Sequence, residues 1–331
     1  MIWGAHEVDG RLAAKHAVKI RAALRQSVDP AKIYEDYLHT HPVPTKNVAQ
    51  DRARARAWAM VHVHTDKKPL QAVLKRVWAE GYVTGLAAAQ EAVARAVQAK
   101  KSSDPNYVDW QHWNPGDAAS AALLRPSGAL EQLLRNAGAT ISGIVDSTQY
   151  DRIGTALADS LQLGLSPDRS ASLILDSISS PARALTISIT EQNRAMSQAA
   201  LDKYQQMGLE QVEWSGADPC DICVENDGQV VNVGENFPSG DDAPPAHPNC
   251  RCALLPVIPQ EYTMPEDTSL IPEPDTATPE AAPSSEFAPG VWTKVDDRAA
   301  RRQQIIDSYL KGNPKLTPEQ VAEYVDGVGG K

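Results

Sequence analysis

Along the first hundred residues, apolar and polar positions recur with the period of a helix rather than that of a strand. In "AAKHAVKIRAALRQ", Val18, Leu24 and several alanines fall on one side, with Lys15, Lys19 and Arg25 on another, as in an amphipathic helix. "PLQAVLKRVWAEGYVTGLAAAQEAVARAVQAKK" continues the pattern. It opens with Pro69 in a first-turn position and closes on Lys100 and Lys101, where cations suit the helix dipole. Gly81 and Gly85 lie within it; an interior glycine costs about 1 kcal/mol relative to alanine, so the pair predicts close contact with another helix. "DRARARAWAM" places Arg52, Arg54 and Arg56 at every second position, which spreads them around a helix and makes only a weak nucleic-acid signal.

"SSDPNYVDWQHWNPGD" breaks the period with prolines, Gly116 and polar residues, and predicts a connector whose Trp110 and Trp113 pin it to a neighbouring surface. A second helical block follows. Ser166 with Pro167 and Asp168, then Ser180 with Pro181, predict two capped helix starts, each cap worth roughly 1 kcal/mol. Gly208 is the expected residue just past the second helix. Beyond it "LEQVEW" alternates, "GQVVNV" follows the turn "NDG", and "ALLPVI" is a short apolar run. These predict a small antiparallel sheet of two or three strands.

From Pro256 to Gly290 the chain holds eight prolines, seven acids and no Lys or Arg, a composition that cannot bury enough surface to fold. Thr317, Pro318 and Gln320 then suggest a capping box in a short tail helix. The chain therefore reads as α+β and predominantly α. The boundaries are a helical N-terminal region (1–101), a connector (102–116), a helical block (117–208), a Cys/His β module (209–258), a linker (259–290) and a short helical tail (291–331).

Charge changes this picture. The net charge of −10 divides into 17 Lys+Arg against 9 Asp+Glu in residues 1–101 and 15 against 33 in the remainder, +8 and −18. A basic first third on an acidic protein suggests an acidic partner, nucleic acid or an acidic protein surface, met through Arg52, Arg54, Arg56, Lys67 and Lys68; solvated helix faces are the plainer reading. "MIWGAHEVDGRL" lacks the features of a signal peptide, and no apolar run approaches the ~20 residues that span a bilayer. The expectation is a protein made in a cytosol with reduced thiols and no membrane contact.

The chemistry is concentrated in one window. The chain's 4 cysteines are Cys220 and Cys223, then Cys250 and Cys252 beside His247 in "PPAHPNCRCALLP". A Cys-x-x-Cys turn points two sulfurs at one centre, and soft sulfur with imidazole suits tetrahedral zinc. Pro244, Pro245 and Pro248 stiffen the segment that presents His247. There are five candidates for four positions. A pair of disulfides and reduced structural thiols are the other readings. With no glutamate beside an open position, a structural zinc is favoured over a catalytic one.

The run "CDIC…DGQ…FPSG…PPAHPNCRC" resembles the C-terminal signature of the phage head morphogenesis family, the Mu F-like minor capsid proteins. The preceding helix resembles that family's Arg-rich helix, with Arg183, Thr190 and Glu191 matching its motif. "GYVTG" and "WQHWNPGD" resemble versions from phages of actinobacteria. The resemblance implies a virion protein at the portal vertex inside the capsid, present in the host cytoplasm during assembly. Its implied partners are portal, major capsid or scaffold proteins and packaged DNA. Its implied work is procapsid assembly, DNA packaging or ejection.

Enzyme signatures are weaker. His6 opens "HEVDG", but Gly10 stands where a second zinc-peptidase ligand belongs, and the terminal "GVGGK" is not a phosphate loop. The pairs His39/His41 and His62/His64 diverge on helices and read as solvated. Arg183, Thr190 and Glu191 share one predicted helix, whereas an ADP-ribosyltransferase takes its triad from separate strands. With Arg194 they read as a polar seam in which Glu191 pairs with Arg194. A non-enzymatic capsid protein is the expectation; a maturation protease or ADP-ribosyltransferase-type enzyme is the alternative.

Overall fold

The computed structural model describes residues 3–45, 47–98, 113–216 and 219–263. The expectations for Lys100, Lys101 and Trp110, for most of the linker and for the tail helix at Thr317 fall outside these residues, as does the side chain of His6.

The chain forms α1 (Trp3–Gln26), α2 (Pro30–Thr40), α3 (Val48–His62), α4 (Lys68–Gln98), α5 (Gly116–Leu124), α6 (Gly128–Arg135), α7 (Ala137–Gln162), α8 (Pro167–Ile178) and α9 (Pro181–Gln206). Strands β1 (Gln211–Ser215), β2 (Val230–Asn232) and β3 (Ala253–Pro256) complete it. Asp29 and Asn47 cap α2 and α3 through bonds from the backbone N–H of Lys32 and Gln50, and Ser180 caps α9 through Arg183 N–H. Ser166 occupies the cap position of α8 in extended conformation but makes no side-chain cap bond, so the stabilisation expected of that serine is absent.

Helices from the first third pack mainly on helices from the second block, although α1 also packs on α4. α4 runs along α9, α3 along α7, and α2 against α8. One core gathers Leu74, Trp78, Leu86, Leu130 and Ile141; another gathers Tyr37, Trp58, Ile153, Leu157 and Ile174. Both belong to one compact unit, Met1–Thr276.

The glycine expectation holds. A Cβ on Gly81 would stand 3.0 Å from the Gln192 carbonyl oxygen, and one on Gly85 would stand 2.5 Å from that of Met196. The expectation for Val18 does not: it is 60 % exposed, and α1 buries Leu12, His16, Ile20, Ala23 and Leu24 instead. Val18 lies two residues from both His16 and Ile20, which turns it to the opposite side of a 3.6-residue helix.

Burying His16 matters because Glu80 faces it from α4. The Glu80 carboxylate, 1 % exposed, meets His16 Nε2 at 3.1 Å, Lys15 Nζ at 3.2 Å and Arg76 Nε at 2.6 Å. Burial alone would raise its pKa, but the hydrogen bonds from His16 and Arg76 outweigh it and hold Glu80 well below the usual carboxylate range. A depressed folded pKa stabilises the fold fully above the unfolded pKa, and the contribution is lost as pH falls through the folded value. Glu80→Gln is expected to cost about 3 kcal/mol at neutral pH, because it removes the buried charge on which Arg76, Lys15 and the buried His16 converge. Urea denaturation checks this, and the gap to the parent should narrow in strong acid.

Candidate metal centre

β1 is the central strand, antiparallel to β2 on one side and β3 on the other, with Val212 opposite Val231 and Trp214 opposite Leu254. Alternation along β1 buries Val212 and Trp214 and turns Gln211 and Glu213 away. The buried face rests on the ends of α4 and α9 through Ala89, Val93, Leu201 and Tyr204. Tyr204 donates its hydroxyl to the Leu254 carbonyl at 3.1 Å, and Trp214 meets Phe237 edge-on at 5.0 Å. The small sheet thus shares a core with two helices.

Two loops carry the thiols. After β1 the chain turns at Cys220, whose carbonyl accepts from the N–H groups of Cys223 and Val224, both at 2.9 Å. Asn226, fully buried, clips this loop to the next: its side-chain amide donates to Ser239 Oγ at 2.7 Å and its side-chain oxygen accepts from Ser239 N–H at 3.0 Å. Before β3 the second loop presents His247, Cys250 and Cys252. Asn249 within it takes the left-handed conformation, φ 64°, which asparagine tolerates better than most side chains.

α9 holds that second loop in place. Asn193 Nδ2 donates to the carbonyls of Cys250 (2.9 Å) and Cys252 (3.2 Å), and Thr190 Oγ1 accepts from Asn249 N–H at 2.9 Å. Replacing Asn193 with leucine leaves two buried carbonyls unpaired, at about 1–3 kcal/mol each. The expected outcome is lower thermal stability with looser metal retention, read by melting with and without a chelator. Neither Asn193 nor Asn226 stood out in the sequence. The available signal was an asparagine inside a long helix, where it is otherwise unfavourable.

The five donors form two triplets that share Cys223: Cys220, Cys223 and His247, and Cys223, Cys250 and Cys252, with the donor atoms of each within 4.8 Å of one another. Cys220 Sγ lies 3.1 Å from His247 Nε2, and Cys223 Sγ lies 3.8 Å from Cys250 Sγ. Zinc–sulfur bonds of about 2.3 Å in a tetrahedron separate two sulfurs by roughly 3.8 Å. Cys223, Cys250 and Cys252 are buried, while Cys220 is exposed.

Proton affinities divide the thiols. Backbone N–H groups of Cys223 and Ile222 lower the pKa of Cys220. Cys250 is pulled down to about 5, first by its hydrogen bond with the Cys252 thiol. Burial pushes Cys223 up to about 12, and the bond to Cys250 raises Cys252. His247 is raised overall: burial opposes, but the Pro248 carbonyl and the charges of Cys250 and Cys220 prevail. Several thiols and an imidazole converging on one point, two of the thiols favouring the thiolate, have the chemistry of a site that could hold a soft metal.

The polar seam lies beside this centre. Glu191 Oε2 accepts from Trp78 Nε1 at 2.9 Å in the interior and pairs with Arg194 Nε at 3.5 Å, the expected partner. Arg183 donates to the carbonyls of Ile178 (2.6 Å) and Ile144 (2.9 Å). The basic residues are elsewhere: Arg52 pairs with Asp159 at 3.1 Å, Arg54 with Asp51 at 2.9 Å and Arg56 with Asp151 at 3.2 Å. Lys67 donates to Ser142 Oγ at 2.9 Å, and Lys68 is exposed. His39, His62 and His64 are exposed as expected, with His62 stacked on Trp58 and the half-buried His41 stacked on Tyr37.

Among the described residues no helix is long and apolar enough to cross a membrane. No curated protein and no solved structure matches the chain. Residues 151–255, from the second half of α7 through both thiol loops and into β3, match the family described as Phage Mu protein F like protein, the family that the Cys/His signature resembles.

Proposed function

We propose that this chain is a non-enzymatic phage head morphogenesis protein, a minor capsid component built around one structural zinc. The observation that carries the reading is that the matched segment coincides with the thiol loops and the helix that fixes them. Cys220, Cys223, His247 and Cys250 supply the four ligands. The spacing between Cys223 and Cys250 suits a shared ion, whereas Cys252, buried in the same core, has its proton held by its hydrogen bond to Cys250. A closed set of four protein ligands leaves no position for a reacting water, the mark of a structural rather than a catalytic zinc.

The portal vertex is the proposed place of action, with portal, major capsid or scaffold proteins as partners and the capsid interior as location. Contact with packaged DNA or the portal through Arg52, Arg54 and Arg56 has to compete with the ion pairs these residues make to Asp159, Asp51 and Asp151. Co-expression with the phage's portal and capsid proteins tests the reading. Co-purification with portal, without turnover of capsid protein or transfer of ADP-ribose, supports it; cleavage of capsid protein by the purified chain overturns it.

A further inference from the structure

Beside the metal centre, whose ligand His247 lines its edge, α7, the start of α9 and the Pro245–Pro248 segment enclose an open cavity of about 790 Å³. Its lining includes three guanidiniums, Arg152, Arg183 and Arg194, against a single carboxylate, Glu191. Glu191 is already engaged by Trp78 and Arg194. Arg183, 8 % exposed, finds only the Ile178 and Ile144 carbonyls. Arg152 finds the Ser177 carbonyl at 3.1 Å, and its Nε is buried without a hydrogen-bond partner. Among the described residues neither guanidinium faces a carboxylate.

Two like charges brought together, one buried and one half-buried, with only backbone dipoles to balance them, are costly unless an anion joins them. Their proximity is felt: burial and then the charge of Arg152 draw Arg183 down to about 10, which still leaves Arg183 cationic at neutral pH. The surroundings supply neutral donors. Thr148 on α7 and Thr186 on α9 line the same space. Ser180, at the N-terminus of α9, lines it too, and the positive end of a helix dipole favours an anion there.

We propose that this cavity binds a phosphate group, with Arg152 and Arg194 gripping its oxygens and Arg183 supplying fixed charge from behind. Guanidinium forks match phosphate bidentately, and hydroxyls fill the remaining oxygens. The volume exceeds the needs of orthophosphate and lies in the range of small-molecule sites, about 300–1,000 Å³, which suits a phosphate ester. A free nucleotide and a stretch of nucleic-acid backbone share that chemistry. The inference rests on the cavity alone, not on the role in head assembly.

The test is calorimetric titration of the full chain at low salt with sodium pyrophosphate, ATP, a short single-stranded oligonucleotide and an oligoglutamate peptide. Saturable 1:1 binding of pyrophosphate is expected, weakened about tenfold or more by Arg152→Gln and by Arg194→Gln, since each removes a charge-assisted hydrogen bond. Lys19→Gln, at an exposed position on α1, should change nothing. Thr148→Val provides a variant that leaves every charge in place, should an arginine variant fail to fold; it too should weaken binding. Competition between the oligonucleotide and pyrophosphate identifies nucleic-acid backbone as the source. Binding of ATP without oligonucleotide identifies a free phosphate ester. No saturable pyrophosphate binding, binding indifferent to the folded variants, or oligoglutamate bound as tightly as pyrophosphate overturns the proposal.

Discussion

Replacing Cys223 with serine is expected to strip the chain of its metal and to release the segment from β1 to β3 from the helices beneath it. Cys223 is the donor common to both triplets and is 1 % exposed, so no surface thiol can take its place. A serine hydroxyl is a poor zinc ligand, and here it would be buried without a designed partner. Structural zinc supplies on the order of 10 kcal/mol in isolated finger peptides. That figure is an upper bound here, because Trp214, Phe237 and the Tyr204–Leu254 hydrogen bond also hold the sheet. Loss of native-like proteolytic protection over residues 209–258, with the helices still folded, is therefore expected rather than global unfolding. Metal analysis and limited proteolysis on protein prepared under reducing, chelator-free conditions give the result. Cys252→Ser should keep one zinc per chain, while Cys220→Ser and Cys250→Ser should not. Full metal content in Cys223→Ser, or none in the parent, would sink the zinc reading.

The parts of this architecture that could be read in the sequence are those specified by neighbours along the chain. Ser180 before Pro181 announces a helix start. Gly208, at φ 72°, announces its end, and the alternation of "QVEW" announces a strand. The Cys-x-x-Cys turn and the His-x-x-Cys-x-Cys loop are equally local, which is why the candidate ligands were visible without coordinates. Pairings between distant segments were not. That α4 lies on α9 and α3 on α7 follows from the shapes of whole faces, and no local periodicity states which face meets which.

The same limit explains the individual misses. Val18 is apolar and helical, yet it falls on the outer face because His16, a polar residue, takes the inner one to meet Glu80. The hydrophobic pattern alone could not assign that position to a histidine. Arg183 finds main-chain carbonyls rather than an acid; carbonyls exist at every residue and leave no mark in a sequence. Asn193 supports the thiol loop from 57 residues away. The arginines of α3 illustrate the converse. Their composition suggested a surface for an acidic partner, and the fold gives each a carboxylate of its own.

The seam between α4 and α9 carries the second large expectation: Gly85→Ala should destabilise the whole unit. The added Cβ would stand 2.5 Å from the Met196 carbonyl oxygen, 2.7 Å from its Cα and 2.9 Å from the Ala199 Cβ. Two of those three atoms are backbone, so no rotamer change relieves the overlap and one helix must move away. Overpacking of this kind costs about 1–3 kcal/mol, occasionally more, and the upper end is expected because α9 positions Asn193 and Thr190 on the thiol loop. Displacing α9 should therefore weaken metal retention as well as stability, although Gly85 touches no ligand. Gly10 in α1 is the matched control. It is exposed with nothing within 4 Å of its would-be Cβ, so Gly10→Ala should stabilise by roughly 0.5–1 kcal/mol through helix propensity. Urea denaturation of the two variants gives opposite signs if the glycines of α4 exist for close approach. Equal and small effects would mean that α4 and α9 are not held as tightly as their backbones indicate.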